Sequence, residues 1–298
     1  MPRIALVTAR AARGTDPDML PLLAALRAAC ADTHEVDWDD AAVDWTRFDL
    51  VLPRSTWDYC ERLPAFLTWA ERVAGQTRLL NPLAVIRWNT DKHYLADLAR
   101  AGVAVVPSTF VEPGEDVAQR VETLLAAHPS ADDLVVKPAV GAGSRDAQRH
   151  ARGNFDAIVA HAGRLLDAGR SVLLQPYLDH VDAHGETALL FFDGVFSHAV
   201  RKGPLLQRGA DATTDLYARE TIEPRVPSAS ELHVAERALA AVPFAGPLLY
   251  ARVDLIHDGD SSPRLLELEL VEPSVFVTHA DGAGERFARM IVQRTQSI

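Results

Sequence analysis

Two glutamates within an apolar run constrain the fold of this chain more than any other feature of its sequence. In the segment LLELELVEPSVF, residues 265–276, Glu267 and Glu269 are two positions apart, so both side chains leave one face of an extended strand. The opposite face is predicted to carry Leu266, Leu268 and Leu270. Burying two neighbouring carboxylates is costly without a positive partner. The glutamate pair therefore predicts that a cation binds on this face of the strand.

A second strand with a charged face precedes this one. The two strands of YARVDLIHDGDSSPRLLELEL are joined by a turn-rich segment, which predicts a hairpin. Arg252 and Asp254 share a face of the first strand, so pairing brings them to Glu267 and Glu269. Three carboxylates around one point are typical ligands of a hard divalent cation. The alternative is a salt-bridged face in which Arg252 compensates one acid, but three acids against one arginine favour the metal site.

A lysine followed by a loop of small residues predicts a place for phosphate oxygens. The chain has only three lysines, and Lys137 ends the apolar run of LVVKPAVGAGSRD just before that loop. Glycine lets backbone N–H groups approach phosphate closely, so Gly143 and Ser144 are candidate contacts. The segment matches neither a P-loop nor a dinucleotide-binding fingerprint. A glycine-containing loop alone is more often a turn, but a buried lysine seldom lacks an anionic partner.

The other two lysines and one strand end are weaker candidates. Lys92 opens a predicted helix in NTDKHYL, where the helix dipole disfavours a cation; a plain surface lysine is the alternative. Lys202 follows a hairpin strand in FSHAVRKGP, where the alternative is a solvated strand end. The segment LLQPYLDH is either a linker between lobes or a hinge that binds the edge of an adenine ring. The hinge residues are Gln175, Pro176, Tyr177 and Leu178.

The order of predicted strands and helices divides the chain into three parts. Near the start, strands alternate with helices over Ile4–Thr8, Leu20–Ala31, Phe48–Pro53 and Pro64–Ala74. This alternation predicts a parallel α/β domain over residues 1–85. Antiparallel pairs follow, including a hairpin around a DG turn at residues 193–194. The fold class is therefore α/β plus α+β, with further domains over residues 86–178 and 179–298.

Charge and composition exclude several classes of protein. The net charge of −11 at pH 7 argues against a nucleic-acid binder or a protein of anionic membrane surfaces. The start MPRIALVTAR lacks the apolar stretch of a signal peptide, and no apolar run approaches the length of a membrane span. The two cysteines suit a reducing compartment. We therefore expect a cytoplasmic protein that acts on a small molecule; a homo-oligomer stays open.

These pieces occur in an order that resembles the ATP-grasp superfamily over residues 80–280, after what looks like its N-terminal α/β domain. The resemblance implies that two α+β lobes clamp ATP, a small lobe with a glycine-rich flap and a C-terminal lobe with the metal site. It implies ATP and Mg²⁺ as cofactors. It also implies a ligase that phosphorylates a substrate carboxylate, after which a nitrogen nucleophile attacks the acyl-phosphate.

The nucleotide-binding residues of the superfamily carry over onto matching positions. Its two nucleotide lysines match Lys92 and Lys137, the latter with the GAGS flap. Its adenine hinge matches residues 175–178. Its ribose-binding glutamate matches Glu186 in HGETALL, with Asp182 as a competing candidate.

The catalytic and metal-binding positions carry over as well. Arg252 fits the arginine that steadies the acyl-phosphate, and Lys202 fits a later phosphate or substrate contact. Asp254, Glu267 and Glu269 fit the magnesium ligands. The superfamily usually ends this set with Glu-x-Asn, and here Glu269 replaces the Asn. The extra negative charge either tightens magnesium binding or leaves Glu269 partly outside the ligand sphere.

Within this superfamily the chain resembles a ring-closing ligase, through PRSTWDY, NTDKHYL, LVVKPAVGAGSRD, FSHAVRKGP and LLELELVEPSVF. The likeness implies an amino-acid-like substrate whose own nitrogen attacks the acyl-phosphate. The predicted substrate pocket contains Arg54, Trp57 and Asp58 together with Arg252, since arginine binds carboxylates and aspartate binds amino groups. Ordinary packing is the alternative for Trp57. The rival functions are ligation to a separate amine and a non-catalytic nucleotide-binding protein.

Overall fold

The structure is a computed structural model that describes residues 1–212, 221–246 and 248–296. Within these ranges the chain forms three sheets, one in each predicted part. A parallel three-stranded sheet comes first, an antiparallel four-stranded sheet second and an antiparallel five-stranded sheet last. The predicted fold class of an α/β unit followed by α+β units is confirmed.

The N-terminal sheet has the strand order β2-β1-β3. Its elements are β1 (Arg3–Thr8), α1 (Met19–Ala28), β2 (Asp32–Asp37), β3 (Leu50–Ser55) and α2 (Leu63–Ala74). The apolar β1 and β3 are buried along almost their whole length, as their sequences predict. Sequence reasoning missed β2, because the polar segment DTHEVD forms a half-buried edge strand without an apolar run.

The middle sheet has the order β4-β7-β5-β6. This part contains α3 (Leu83–Asn89), α4 (Tyr94–Arg100), β4 (Thr109–Val111), α5 (Val117–Ala127), β5 (Asp133–Pro138), β6 (Gln148–Ala151), α6 (Phe155–Asp167) and β7 (Val172–Pro176). The prediction that Lys92 opens a helix is wrong. Lys92 lies in the turn between α3 and α4, where its backbone N–H donates to Ala139 O at 2.9 Å and ties the turn to the flap.

The C-terminal sheet has the order β10-β9-β8-β11-β12. This part contains α7 (His180–His184), β8 (Glu186–Phe192), β9 (Val195–Lys202), β10 (Ile222–Arg225), α8 (Ala229–Ala240), β11 (Tyr250–His257), β12 (Pro263–Glu269) and α9 (Ala283–Gln296). Both predicted hairpins, β8–β9 and β11–β12, are present. Ser228 caps α8 in a reciprocal pair with Glu231.

A bulge in β12 changes the expected alternation of its leucines. Asp254 pairs with Glu267, but the next residue of β11 pairs with Leu265, so Leu266 is the extra residue. Leu266 therefore does not share the core face of Leu268. It packs instead on the apolar cluster around Ile256 and lines a cavity between the two antiparallel sheets.

The N-terminal sheet and the C-terminal sheet share one apolar core. Leu22 and Leu26 of α1 pack with Phe287 and Ile291 of α9, and Phe287 stacks on Phe192 of β8 at 4.3 Å between ring centroids. The same cluster contains Leu50 and Leu52 of β3 and Val275 after β12, so it joins the N-terminal sheet to the segment that follows β12. In the described ranges, no helix combines the length and the apolar character needed to cross a membrane.

Candidate active site

A deep cavity lies between the two antiparallel sheets, and the N-terminal domain closes one of its walls. Its lining includes residues of β5, the flap after β5, the end of β7, β11 and β12. Trp57 and Tyr59 from the segment after β3 complete the wall. Ligands of parallel α/β sheets bind beyond the carboxyl ends of the strands, which is where this wall lies.

The acidic hairpin face predicted from the sequence is present. Arg252 pairs with Glu269 and Asp254 with Glu267 across β11 and β12. The Arg252 guanidinium binds Asp254, with Nε 2.9 Å from Oδ1, and also binds the Glu269 carboxylate. Burial raises the pKa of Glu269, against the attraction of Arg252. Arg252 thus supplies part of the positive charge that the strand requires.

Lysines supply the rest of that positive charge. Lys92 Nζ lies 2.7 Å from Glu267 Oε1, and Lys202 Nζ lies 3.2 Å from Asp254 Oδ2. Burial opposes the charge on Glu267, but attraction to Lys92 and Lys137 outweighs it and keeps the pKa of Glu267 below its usual range. Burial also opposes the charge on Lys92, and Glu267 nevertheless holds the pKa of Lys92 above its usual range.

The three predicted magnesium ligands share a face without forming a three-ligand site. Among the described residues, no group of three His, Cys, Asp or Glu side chains is arranged to hold a metal ion. Asp254, Glu267 and Glu269 are paired instead with Lys202, Lys92 and Arg252. The donor chemistry still fits magnesium, which is commonly bound by one or two carboxylates together with substrate phosphates.

Lys137 differs from the other two lysines. It lines the cavity from β5, and its Nζ has no hydrogen bond or ion pair with any residue in the described ranges. Burial lowers the pKa of Lys137, and Glu267 opposes that shift only in part. A partly buried ammonium group with no protein partner favours an anionic ligand.

The flap after β5 lies over the cavity. Gly143 and Ser144 both line it and adopt φ values of +61° and +58°, in the left-handed region. Lys92 Nζ donates to Gly141 O at 2.9 Å, and Arg145 Nη2 lies 2.6 Å from Glu61 Oε1 of the N-terminal domain. One ion pair thus connects the flap to the N-terminal domain, and one hydrogen bond connects it to the turn that contains Lys92.

The predicted hinge forms an apolar end of the cavity. The lining includes Gln175, Pro176, Tyr177 and Leu178, and opposite them lie Val106, Ile256 and Leu266. The Arg149 guanidinium lies 3.5 Å from the Tyr177 ring centroid. Such a slot is suited to a flat aromatic base.

Of the two candidate ribose contacts, only Glu186 reaches the cavity. Glu186 lines it and its Oε2 lies 3.0 Å from Lys202 Nζ. Asp182 instead accepts from the Tyr177 hydroxyl at 2.5 Å and lies 2.9 Å from Arg149 Nη1, outside the lining. The geometry therefore favours Glu186.

The predicted substrate residues are only partly brought together. Trp57 lines the cavity, and its indole N–H donates to Glu272 O at 3.2 Å. Arg54 is fully buried beneath the cavity wall and donates to Pro273 O at 2.8 Å. Asp58 points away, because it accepts from Trp38 Nε1 at 2.8 Å and binds Arg62. Direct substrate contact by Arg54 and Asp58 is therefore not supported by their positions.

Sequence reasoning missed several polar residues of the cavity wall, among them Tyr59, Glu272 and Ser274. All three line the cavity and are buried. The Tyr59 hydroxyl interacts with the Glu272 carboxylate and opposes the effect of burial on the pKa of Glu272. A signal was present, because Glu272 is a third acid in LLELELVEPSVF, three residues after the strand ends at Glu269.

Comparison with known proteins gives similarity along the whole chain. Residues 4–81 match the family described as D-cycloserine synthetase DcsG, N-terminal domain. The chain is 44% identical over 295 residues to the cycloserine biosynthesis protein DcsG of Streptomyces lavendulae, and the match covers 98% of both chains. A crystal structure of D-cycloserine synthetase DcsG is similar with a TM-score of 0.91 and 43% identity, covering 98% of this chain and 99% of that one.

More distant structures share the fold alone. A D-alanine–D-alanine ligase from Bacillus anthracis has a TM-score of 0.72 and 16% identity, covering 99% of this chain and 98% of that one. The ATP-grasp ligase PsnB, complexed with a minimal precursor, has a TM-score of 0.63 and 19% identity, covering 97% and 98%. The predicted ATP-grasp fold is thereby confirmed.

The full-length similarity is decisive for classification. A match with 44% identity over 98% of this chain extends well beyond the N-terminal domain into the two antiparallel parts that form the cavity. The prediction of an ATP-dependent ligase that uses ATP and Mg²⁺ is confirmed with the family. The chain belongs to the family of the D-cycloserine synthetase DcsG.

Proposed function

We propose that this protein is an ATP-dependent cyclo-ligase that converts O-ureido-D-serine into D-cycloserine. The observation that carries the proposal is 43% identity to D-cycloserine synthetase over 98% of this chain, at a TM-score of 0.91. That likeness includes the N-terminal domain, which supplies Trp57 and Tyr59 to the cavity wall. It therefore extends beyond the nucleotide site that all ATP-grasp ligases share.

ATP is proposed to bind with its adenine in the slot formed by residues 175–178 and its phosphates under the flap. Glu186 would bind the ribose. The N–H groups around Gly143 and Ser144 would approach the phosphates, since both residues line the cavity in the conformation that exposes backbone donors. Lys92 and Lys137 add positive charge, and Lys137 has no competing partner within the described ranges.

Glu267 and Asp254 are proposed as the carboxylates that hold magnesium, with Glu269 beside them. When bound, the metal supplies positive charge to the phosphate oxygens. Magnesium binding requires the lysine side chains to leave these carboxylates and to contact the phosphates of ATP instead. Lys92 and Lys202 are placed for this exchange, because each contacts an acid of the hairpin at the edge of the cavity.

Arg252 and Lys202 are the proposed catalytic residues. Both line the cavity, and both bind the Asp254 carboxylate of the acidic hairpin. Transfer of the γ-phosphoryl group to the substrate carboxylate gives an acyl-phosphate and ADP. Fixed positive charge beside the transferred group stabilises the negative charge that accumulates on it.

Ring closure follows by attack of the substrate's own oxygen-bound nitrogen on the acyl-phosphate carbon. A C–N bond forms, the C–O bond to phosphate breaks, and the nitrogen loses its proton. Addition of water then releases the carbamoyl group as carbon dioxide and ammonia. An internal nucleophile is already close to its target, so no second substrate has to be bound and oriented. Closure of the flap would keep water from hydrolysing the acyl-phosphate.

Phosphate release with O-ureido-D-serine as the sole amino-acid substrate tests this proposal. We expect release that depends on both ATP and Mg²⁺ and is not increased by an added amine. Phosphate release that requires a second amine would instead support the rival amino-acid ligase. An absence of release under either condition would favour the non-catalytic alternative.

A further inference from the structure

Glu272 is a buried carboxylate that the nucleotide and metal sites do not use. It lies after the end of β12, between Val271 and Pro273, and is 8% exposed. It lines the cavity together with Trp57 and Tyr59 of the N-terminal domain. Glu272 is therefore at the domain boundary, beyond the paired strand positions of the acidic hairpin.

The partner of Glu272 is neutral. Its carboxylate interacts with the Tyr59 hydroxyl and forms no ion pair with any residue of the described ranges. Glu267 and Glu269, by contrast, are paired with Lys92 and Arg252. Burial raises the pKa of Glu272 to about 7. A buried carboxylate without a positive partner is costly unless a ligand supplies the charge.

Several side chains hold the backbone around Glu272 in a fixed position. Successive carbonyl groups accept hydrogen bonds from Trp57, Arg54 and Arg252 at 3.2, 2.8 and 3.2 Å. The buried Asp18 carboxylate accepts from the N–H groups of Val275, Phe276 and Val277 at 2.7 to 2.9 Å. Rigid support of this kind is typical of residues that position a ligand.

The charge of Glu272 suits one end of an amino-acid ligand. The acids of the hairpin are paired with cations, whereas Glu272 lies beside Trp57 and Tyr59 at the N-terminal wall, so we place it in the part of the cavity that receives the amino-acid substrate. An α-amino acid carries an ammonium group next to the carboxylate that is to be phosphorylated. Arg252 donates to Ser274 O at 3.2 Å, so the arginine that would meet the substrate carboxylate lies close to this segment.

We propose that Glu272, positioned by the Tyr59 hydroxyl, binds the α-ammonium group of the amino-acid substrate. The inference rests on the proposed function and adds to it the residue that selects substrates with a free amino group. Holding the ammonium group at the N-terminal wall directs the neighbouring carboxylate toward Arg252 and the phosphates. Tyr59 acts as a positioning residue in this arrangement.

Calorimetric titration of two ligands into four forms of the protein tests the inference. The ligands are O-ureido-D-serine and the same molecule without its amino group, each added in the presence of Mg²⁺ and a non-hydrolysable ATP analogue. The proteins are the wild type, Glu272→Gln, Tyr59→Phe and the control Glu122→Gln, which removes an exposed carboxylate of α5. Titration of the ATP analogue into each protein reports whether the site is folded.

The wild type should prefer O-ureido-D-serine. Glu272→Gln should weaken binding of that ligand by at least about thirty-fold, because it removes a buried charged partner. The same variant should change binding of the amino-free analogue by less than about threefold. Tyr59→Phe should weaken O-ureido-D-serine binding by about three- to tenfold, the effect of one hydrogen bond. Affinity for the ATP analogue should stay unchanged in all four proteins.

Loss of affinity for both ligands in equal measure, or for neither, would overturn the assignment of Glu272. An absence of O-ureido-D-serine binding to the wild type would overturn it as well. Selective loss in Glu272→Gln, together with an absence of ring product from the wild type, would contradict the proposed function and support the Glu272 contact. Ring formation without the selective loss would contradict the Glu272 contact alone.

Discussion

At Glu269 the charge of the site departs from the Glu-x-Asn pair of the ATP-grasp superfamily. Arg252 binds this carboxylate, while burial raises the pKa of Glu269. The extra acid is therefore compensated by an arginine of the neighbouring strand. An asparagine here would release Arg252 from one of its two acidic partners.

Glu269→Asn should retain turnover within about tenfold at saturating Mg²⁺, because the amide oxygen still offers a ligand. The Mg²⁺ concentration that gives half-maximal rate should rise several-fold, since ligand charge contributes to cation affinity. Steady-state phosphate release across a Mg²⁺ series measures both quantities. Complete inactivity at saturating Mg²⁺ would contradict this account of Glu269.

Glu267→Gln should reduce phosphate release by at least about a hundredfold, because it removes the charge of a proposed metal ligand. ATP binding in EDTA should persist, since Lys92 loses its acidic partner and becomes free for phosphate. The gain in ATP affinity on adding Mg²⁺ should disappear. Glu236→Gln, on the exposed face of α8, is the matched control. Wild-type turnover in Glu267→Gln would refute the metal assignment.

Single residues could be predicted where their chemistry was unusual for their surroundings. An acid pair in an apolar strand and a lysine in an apolar run indicated Glu267, Glu269 and Lys137, all of which line the cavity. Arg54 and Asp58 were placed in the substrate pocket by residue type alone. Pro273, distant in sequence, holds the Arg54 side chain beneath the wall, and Trp38 and Arg62 hold the Asp58 side chain away from the cavity, which residue type alone does not reveal.

At the scale of elements, Gly185 sets the start of β8 against the end of β9. Its φ is +69°, and a Cβ atom there would lie 2.3 Å from the carbonyl oxygen of Lys202. Glu186 and Lys202, which pair across these strands, both line the cavity. The close approach of the Gly185 backbone to the Lys202 carbonyl therefore positions two residues of the candidate active site.

Gly185→Ala should lower the free energy of unfolding by about 2–4 kcal/mol, because it combines a positive φ with a clash against backbone. It should also raise the KM for ATP, since Lys202 and Glu186 would be displaced. Gly169→Ala is the control: its φ is +74° and no heavy atom lies within 4 Å of a Cβ there. That variant should lose only about 1 kcal/mol. Equal losses in urea denaturation would contradict the clash.

Helices and strands with strong apolar periodicity could be predicted from the sequence, and β1 and α2 each begin one residue before the predicted start and end at the predicted residue. Other elements depended on tertiary partners. The polar edge strand β2 is defined by its pairing with β1, and the bulge at Leu266 by the register of β12 against β11. Neither pairing can be deduced from the local sequence, so β2 and the orientation of Leu266 were not predicted.

For the whole molecule, buried histidines predict a loss of stability in acid. His161 is 2% exposed, with Nδ1 3.0 Å from His150 Nε2, and Arg164 and Asp146 are its charged neighbours. Burial lowers the pKa of His161 from 6.5 to about 4. Between these values the unfolded chain binds a proton that the folded chain does not, so stability falls as the pH decreases.

The wild type should therefore lose on the order of 2 kcal/mol more than His161→Phe when the pH falls from about 7.5 to about 5. Urea denaturation at a series of pH values gives the difference between the two proteins. His233→Gln, on the exposed side of α8, should follow the wild type. Parallel curves for the wild type and His161→Phe would show that His161 does not titrate between the folded and unfolded states as described.

The proposed function requires the ring to close through the substrate's own nitrogen, in a cavity where all three parts of the molecule meet. O-ureido-D-serine labelled with ¹⁵N at its oxygen-bound nitrogen tests this directly. With ATP, Mg²⁺ and an unlabelled amine present, mass spectrometry should find the label in the D-cycloserine ring and unlabelled nitrogen in the released ammonia. A product that incorporates the added amine, or labelled ammonia, would contradict the account.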